Sequence, residues 1–203
     1  SLGEDGASQQ SIEDFALACA LPKFTVLSPA DEISCRALVR FAAEHIGPVY
    51  IRTGRPKAPI LYTGSELFQL GRAHKIVAGE DVTIIANGLL VWEALVASDT
   101  CRERGISAAV IDLHTLKPID EAAIIAAAEE TGAVVTAEEH LLSGGVASRV
   151  AQVVAEHHPV PMASVGIADT YAESGTPTQL MEKYGLTAKH IVQAVESVLK
   201  RKK

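Results

Sequence analysis

The chain has 203 residues, 48% of them hydrophobic and only 4% aromatic, an ordinary composition for a soluble globular protein. Its formal net charge is -7, from 25 acidic and 18 basic residues, and the one basic cluster is the terminal run Lys200, Arg201, Lys202, Lys203; both facts argue against nucleic acid as a partner. No apolar run approaches the ~20 residues of a membrane span and no signal peptide opens the chain, so the expected setting is the cytoplasm.

Taken in order, the chain opens on "GEDGASQQSIED", Gly3 to Asp14, two glycines bracketing two acids ahead of a helical pattern. That helix is expected over Ile12–Ala20, with Ser11 as its N-cap. "FTVLSPA" reads as a buried strand, "DEISCRALVRFAAEHIG" as a helix stopped by Gly47, and "PVYIRTG" as a second strand. Residues 57–77 scatter prolines and glycines and read as a linker with one short strand near Ala73–Val77.

Strand and helix then alternate cleanly. "DVTIIANG", "SAAVIDL", "AVVTAEE" and "MASVGIA" are the expected strands. The helices follow "LLVWEALVASDTCRERG", "DEAAIIAAAEETG" with Asp120 as cap and Gly132 as stop, "VASRVAQVVAEHH", "TPTQLMEKYG" and "TAKHIVQAVESVLKRK". The fold class is α/β. Residues 78–203 form a complete open α/β domain. Residues 1–56 supply only two strands and two helices, too few to cover both faces of a parallel sheet. Their missing neighbours are expected from an upstream segment or another chain.

Few side chains carry a chemical signal by themselves. The 3–14 loop can offer backbone N–H groups and the Asp5 carboxylate to a polar ligand, or it can be a tight turn whose acids cap a helix. Arg52 follows a buried strand, where ligands of open α/β sheets bind and where a guanidinium suits a phosphate. Arg55 reads as solvated. His140 and His114 each follow a strand; His140 is a site or interface candidate, whereas His114 reads as a hydrogen-bonded loop histidine. "SGG" at Ser143–Gly145 resembles a phosphate turn, without a GxGxxG or GKT pattern to support it. No HExxH or HxxxH spacing suggests a metal, and no GxSxG suggests a serine nucleophile. Three widely spaced cysteines, Cys19, Cys35 and Cys101, without a CxxC pair, point to a reducing compartment.

Six segments in order, "GEDGASQQSIED", "LPKFTVLSPAD", "VYIRTGRP", "IDLHTLKPID", "TAEEHLLSGG" and "ESGTPTQLMEKYGLT", together resemble the C-terminal section of transketolase, most closely the split type made of two polypeptides. The resemblance implies that residues 1–56 are the end of a pyrimidine-binding domain and that residues 78–203 are the transketolase C-terminal domain. The chain is then expected to be a fragment, with the family's catalytic glutamate and ring-holding aromatic residues upstream of Ser1. Thiamine diphosphate with a divalent metal (Mg) is the implied cofactor of the complete enzyme. This chain alone is expected to be inactive and to bind no cofactor, since the metal–diphosphate motif is missing.

By the same resemblance Asp5 contacts a hydroxyl of the sugar beside the reacting carbonyl, and Arg52 grips the phosphate of a sugar phosphate. Gln9 stands where the family commonly has a histidine that moves protons; glutamine donates a hydrogen bond but is no acid or base near neutral pH. The implied reaction moves a two-carbon ketol unit between sugar phosphates, in carbohydrate metabolism of the pentose phosphate type. A deoxyxylulose-phosphate synthase-like enzyme and a non-catalytic transketolase-like assembly or regulatory subunit are the alternatives. The implied partners are an N-terminal diphosphate-binding subunit and a second copy in a homodimer. That dimer is expected to be held through the 78–203 domain with His140 at the contact, and residues 1–56 are expected to be the more mobile part.

Overall fold

The computed structural model describes residues 3–55 and 57–202. Ser1, Leu2, Pro56 and Lys203 lie outside the described residues, and with them the outer limits of the 1–56 part and the end of the basic tail. After a 3-10 turn at Ala7–Gln9, the first part holds α1 (Asp14–Ala20), β1 (Thr25–Leu27), α2 (Glu32–Glu44) and β2 (Val49–Ile51). The second part holds β3 (His74–Val77), β4 (Val82–Ala86), α3 (Leu90–Glu103), β5 (Ala108–Asp112), β6 (Thr115–Lys117), α4 (Glu121–Thr131) and β7 (Val134–Leu141). It ends with α5 (Val146–His157), β8 (Met162–Ile167), α6 (Pro177–Lys183) and α7 (Ala188–Leu199).

Five strands in the order β3-β5-β4-β7-β8 form the main sheet, parallel except for β3. β4 and β5 are buried along their whole length, as the apolar runs "VTIIA" and "AAVID" require of strands covered on both faces. Leu90, Val91 and Ala94 of α3 and Ile191, Val192 and Val195 of α7 pack on one face. Ile124 and Ala127 of α4 and Val146 and Val150 of α5 pack on the other. Asp120 caps α4 through the Ala123 N–H, and Gly132 ends it in the left-handed conformation at φ 61°.

The smaller sheet has the order β2-β1-β6. β1 and β2 are parallel, with Val26 opposite Tyr50, while β6 pairs antiparallel to β1. "LHTLKP" is therefore more than a loop: it holds a strand that leaves the large sheet's neighbourhood and closes an edge of the small one. The expectation that neighbours must come from outside the chain is corrected on that edge, because β6 belongs to the second part.

α1 shows how far the two parts depend on one another. It starts at Asp14, not Ile12, and Ser11 does not cap it; its N-cap is Glu13, which gives no side-chain capping bond. With only seven residues it is too short to be stable alone. The second part holds both ends. His140 Nε2 accepts the Ala16 N–H at 3.4 Å, and Lys117 Nζ donates to the Cys19 and Leu21 carbonyls at 2.8 and 2.5 Å. Phe15, Ala18 and Val26 join the core under α4 and α5, and Ile12 and Ala30 join the one under α3 and α7. The linker is docked as well. β3 pairs with β5, and Asp31, which caps α2 through Ser34, accepts the Leu61 and Tyr62 N–H groups with its other oxygen.

Candidate active site

Parallel strands leave their carboxyl ends where loops begin, and ligands of open α/β sheets bind there. Here both sheets aim those ends at one space. Ser28 and Pro29 follow β1, Arg52 to Arg55 follow β2, Asn87 and Gly88 follow β4, and all of them line a cleft of about 850 Å³. That volume is within the range of ligand pockets. Gln9 and Gln10 close one side of it.

The floor beside the cleft is a buried ionic cluster. Arg52 donates from Nε and Nη2 to the two Asp14 oxygens at 2.9 and 2.5 Å and from Nη1 to the Glu139 carbonyl at 2.6 Å. Tyr50 O–H donates to Asp14 at 2.6 Å. The guanidinium carbon lies 3.6 Å from the centre of the Phe15 ring, whose other neighbour is the His140 ring, stacked at 5.3 Å. Burial alone would raise Asp14, but the Arg52 bonds and charge, with the Tyr50 hydroxyl, hold it below the usual carboxylate range. Burial and the same carboxylate push Tyr50 up to about 12. Tyr50 and Arg52 share a face of the β2 run by the period of two, which carries both to α1.

His140 is wholly buried within the chain, on β7 against α1. Its Nδ1 lies 2.6 Å from the Leu141 carbonyl, which assigns the proton to Nδ1 and leaves Nε2 to accept from Ala16. Burial lowers its pKa and keeps the ring neutral, as an N-terminal acceptor must be. Two residues earlier, Glu138 accepts the Val146 and Ala147 N–H groups at 2.7 and 2.8 Å. The start of α5 is therefore filled by the chain's own carboxylate, and the "SGG" turn is not a phosphate turn. A Cβ on Gly145 would overlap Glu138 Oε2, which is why glycine occupies that position. Burial raises Glu138 to about 7 against the two N–H groups that favour its charge.

Asp5 and Arg55 form an ion pair at the cleft's mouth, with side chains 44% and 64% exposed. Arg55, expected to be solvated, thus has a partner on the GEDG loop. Gln9 lines the cleft from the 3-10 turn with an exposed side chain. Gln9 and Arg52 therefore line one cleft, Asp5 reaches it only through its ion pair with Arg55, and His140 lies behind its floor. His114 is wholly buried, 2.9 Å from Thr115 Oγ1 through Nδ1 and packed on Phe68 and His74; burial lowers it to about 4. Asp14, Glu138 and Gln10 carry no signal in the sequence, since each acts through a partner remote in the chain or through backbone groups.

Among the described residues no group of three or more His, Cys, Asp or Glu side chains could hold a metal ion. No helix there is long and apolar enough to cross a membrane. The cleft wall mixes cations (Arg52, Arg55, Lys57), carboxylates (Asp31, Glu32, Glu139) and amides (Gln9, Gln10, Asn87), a lining suited to a polyhydroxylated, charged ligand.

The comparisons with known proteins agree with this geometry. The transketolase pyrimidine-binding domain profile matches residues 1–60, and the transketolase C-terminal domain profile matches residues 71–191. The chain is 42% identical over 198 residues to a 6-deoxy-6-sulfo-D-fructose transketolase subunit of a Clostridium species, covering 98% of this chain and 62% of that protein. It is 36% identical to an apulose-4-phosphate transketolase subunit of Phocaeicola vulgatus, covering 98% and 64%, and 39% identical to transketolase-like protein 1 of Bos taurus, covering 98% and 34%. A solved split-gene transketolase, described as an inactive beta4 tetramer, superposes with a TM-score of 0.91 at 45% identity, covering 97% of this chain and 64% of that one. The chain thus spans less than two thirds of each of these relatives. With both profiles matched in chain order and the fold shared, it belongs to the transketolase family, with residues 1–60 related to the pyrimidine-binding domain and residues 71–191 to the C-terminal domain.

Proposed function

We propose that this chain is the C-terminal part of a thiamine diphosphate-dependent transketolase and supplies the sugar-phosphate side of its active site. The observation that carries the reading is the cleft shared by both units, with Asp5 and Arg55 at its mouth and Gln9 on its wall. Carbanion chemistry on the two-carbon unit belongs to thiamine diphosphate when it is bound. The donors on this chain fit a sugar phosphate better than a metal diphosphate, so the cofactor and its metal are assigned mainly to a diphosphate-binding N-terminal subunit.

Within the cleft, Asp5 accepts a sugar hydroxyl and Gln9 donates to a substrate oxygen. The phosphate contact expected of Arg52 falls more readily to Arg55. Arg52 is committed to Asp14 and the Glu139 carbonyl, whereas Arg55 stands largely in solvent and exchanges one weak ion pair for a phosphate. Arg52 then holds the floor from which the 52–55 loop departs. The free cysteines suit a reducing, cytoplasmic setting.

A second reading is a transketolase-like subunit that assembles without catalysing. Gln9 favours it, because it cannot exchange protons, and the solved relative is described as an inactive tetramer. Self-association of this chain, as a homodimer or a larger closed assembly, is compatible with both readings. The deciding experiment is coexpression with an N-terminal diphosphate-binding subunit, followed by an assay of thiamine-dependent ketol transfer across phosphorylated sugars. Transfer supports the first reading; a stable complex that transfers nothing from any donor supports the second.

A further inference from the structure

The GEDG loop does not stand alone. Gly3 to Gly6 is a tight turn closed by the Gly6 N–H on the Gly3 carbonyl at 3.2 Å, with Asp5 at its corner. Both glycines have left-handed φ values, 83° and 82°, and both face the same distant segment. A Cβ on Gly6 would stand 2.6 Å from Ser174 Oγ. One on Gly3 would stand 2.8 Å from Pro177 Cδ and 3.1 Å from the Gly175 carbonyl. Gln10 completes the contact: its Nε2 donates to the Gly3 carbonyl at 3.3 Å and to the Glu173 carbonyl at 3.2 Å, bridging the two segments.

The segment at 173–177 is built to be rigid. Thr176 and Gln179 form a capping box at the start of α6, with Pro177 at its first turn. Glu173 is ion-paired with Lys183 at the other end of α6. The Asp5 turn is thus pressed, with no side chain of its glycines to keep it off, onto Ser174 and Pro177 at a capped helix start some 170 residues away in the chain.

We infer that the 173–177 segment is the seat that holds Asp5 at the edge of the cleft, against Arg55 of its lining, with Gln10 and Ser174 as positioning residues. This gives the C-terminal domain a part in the site beyond the residues it contributes to the cleft wall, such as Asn87 and Tyr184. Hydrogen-bonded geometry on a rigid support is what a substrate contact needs, since a displacement of about 1 Å can cost about a hundredfold in rate. The inference rests on the reading in which Asp5 touches the sugar. The contact between the two turns stands independently of it.

The test has two arms. In the full chain, Gln10→Ala and the isosteric but non-donating Gln10→Glu should each speed amide exchange over residues 3–9 about tenfold, in line with the loss of one or two hydrogen bonds, while exchange over β4 and β7 stays as in the parent. Unchanged exchange at 3–9 in both variants overturns the seat, whatever the enzyme does. In the complex with the N-terminal subunit, Gln10→Ala should lower kcat/KM for ketol transfer about tenfold or more, and that loss should vanish in an Asp5→Ala background. Losses that multiply independently of Asp5 would make Gln10 merely structural and overturn the positioning role. If the parent complex transfers nothing, the proposed function fails and the exchange arm still decides the seat.

Discussion

Asp14 and Asp112 are both buried at junctions between the first part and the second, yet their surroundings treat charge in opposite ways. Asp14 ties α1 and β2 to β7 and has a guanidinium on both oxygens. Asp112, at the end of β5, has the Tyr62 hydroxyl on one oxygen at 2.7 Å and no hydrogen-bond partner on the other. Burial pushes Asp112 up to about 7, with the Tyr62 bond opposing and Asp31 adding repulsion. The phenol in turn is raised by burial and by that carboxylate. The contrast teaches that burial does not set a carboxylate's charge by itself. A cation brought along with it makes the junction ionic; a phenol alone lets it go neutral.

The severest way to break the comparison is Arg52→Met, which leaves Asp14 buried without its cation. The loss should be about 3–5 kcal/mol in urea unfolding at neutral pH. A loss below about 1 kcal/mol would show that the pair does not hold the junction. Arg52→Lys should recover only part of it, because an ammonium cannot span both Asp14 oxygens and the Glu139 carbonyl.

Glu138 offers a third buried carboxylate, held by backbone N–H groups and no cation in hydrogen-bond contact. Gly145→Ala would push a Cβ into it and free the start of α5. That should cost about 2–4 kcal/mol by the same measurement. A tolerated alanine would mean that Glu138 moves aside without loss and that the carboxylate is not the cap.

The two aspartates should also give opposite pH slopes. Asp14 has a lowered pKa in the folded chain, so its stabilisation is present above its unfolded value and is lost as pH falls through the folded one. Asp112 has a raised pKa, so its favourable state is complete below the ordinary 3.8 and is lost as pH rises through about 7. Glu138 acts in the same direction as Asp112. Asp112→Asn should therefore improve relative to the parent by about 1–3 kcal/mol between pH 5 and pH 8, read from denaturation midpoints at each pH. A pH-independent difference would place Asp112's charge outside the balance.

The smallest effect on stability is expected at the mouth of the cleft. Arg55→Met should change unfolding by less than about 1 kcal/mol, since its ion pair with Asp5 is exposed. In the reconstituted complex it should nonetheless weaken phosphorylated sugars about tenfold or more against unphosphorylated ones, and more than any variant that leaves Arg55 in place. Equal loss for both substrates would return the phosphate contact to another residue.

Much of this architecture is legible along the chain, for a physical reason. Apolar runs, helical periods, the Asp120 cap and the Gly132 stop are local signals, and each element they mark is present. The short strand before Val77 is legible within the Pro- and Gly-rich stretch that precedes it. That Gln9 and Arg52 line one cleft follows from motif order and from the rule that strand carboxyl ends face ligands.

Tertiary structure decided the rest, because the deciding contacts join residues that no local pattern connects. β6 is three residues long, too short to show a period, and only its pairing with β1 makes it a strand. Arg52 looks like a ligand arginine by position, and only the approach of Asp14 and the Glu139 carbonyl commits it to the floor. His140 reads as a site or interface candidate after a strand; it lies within β7, and only α1 lying over that strand makes it a helix cap. The glycines of the GEDG loop announce a tight turn in the sequence. That they are also pressed against Ser174 and Pro177 depends on two segments meeting across the whole fold, where side-chain volume and carbonyl direction, not residue order, set what fits.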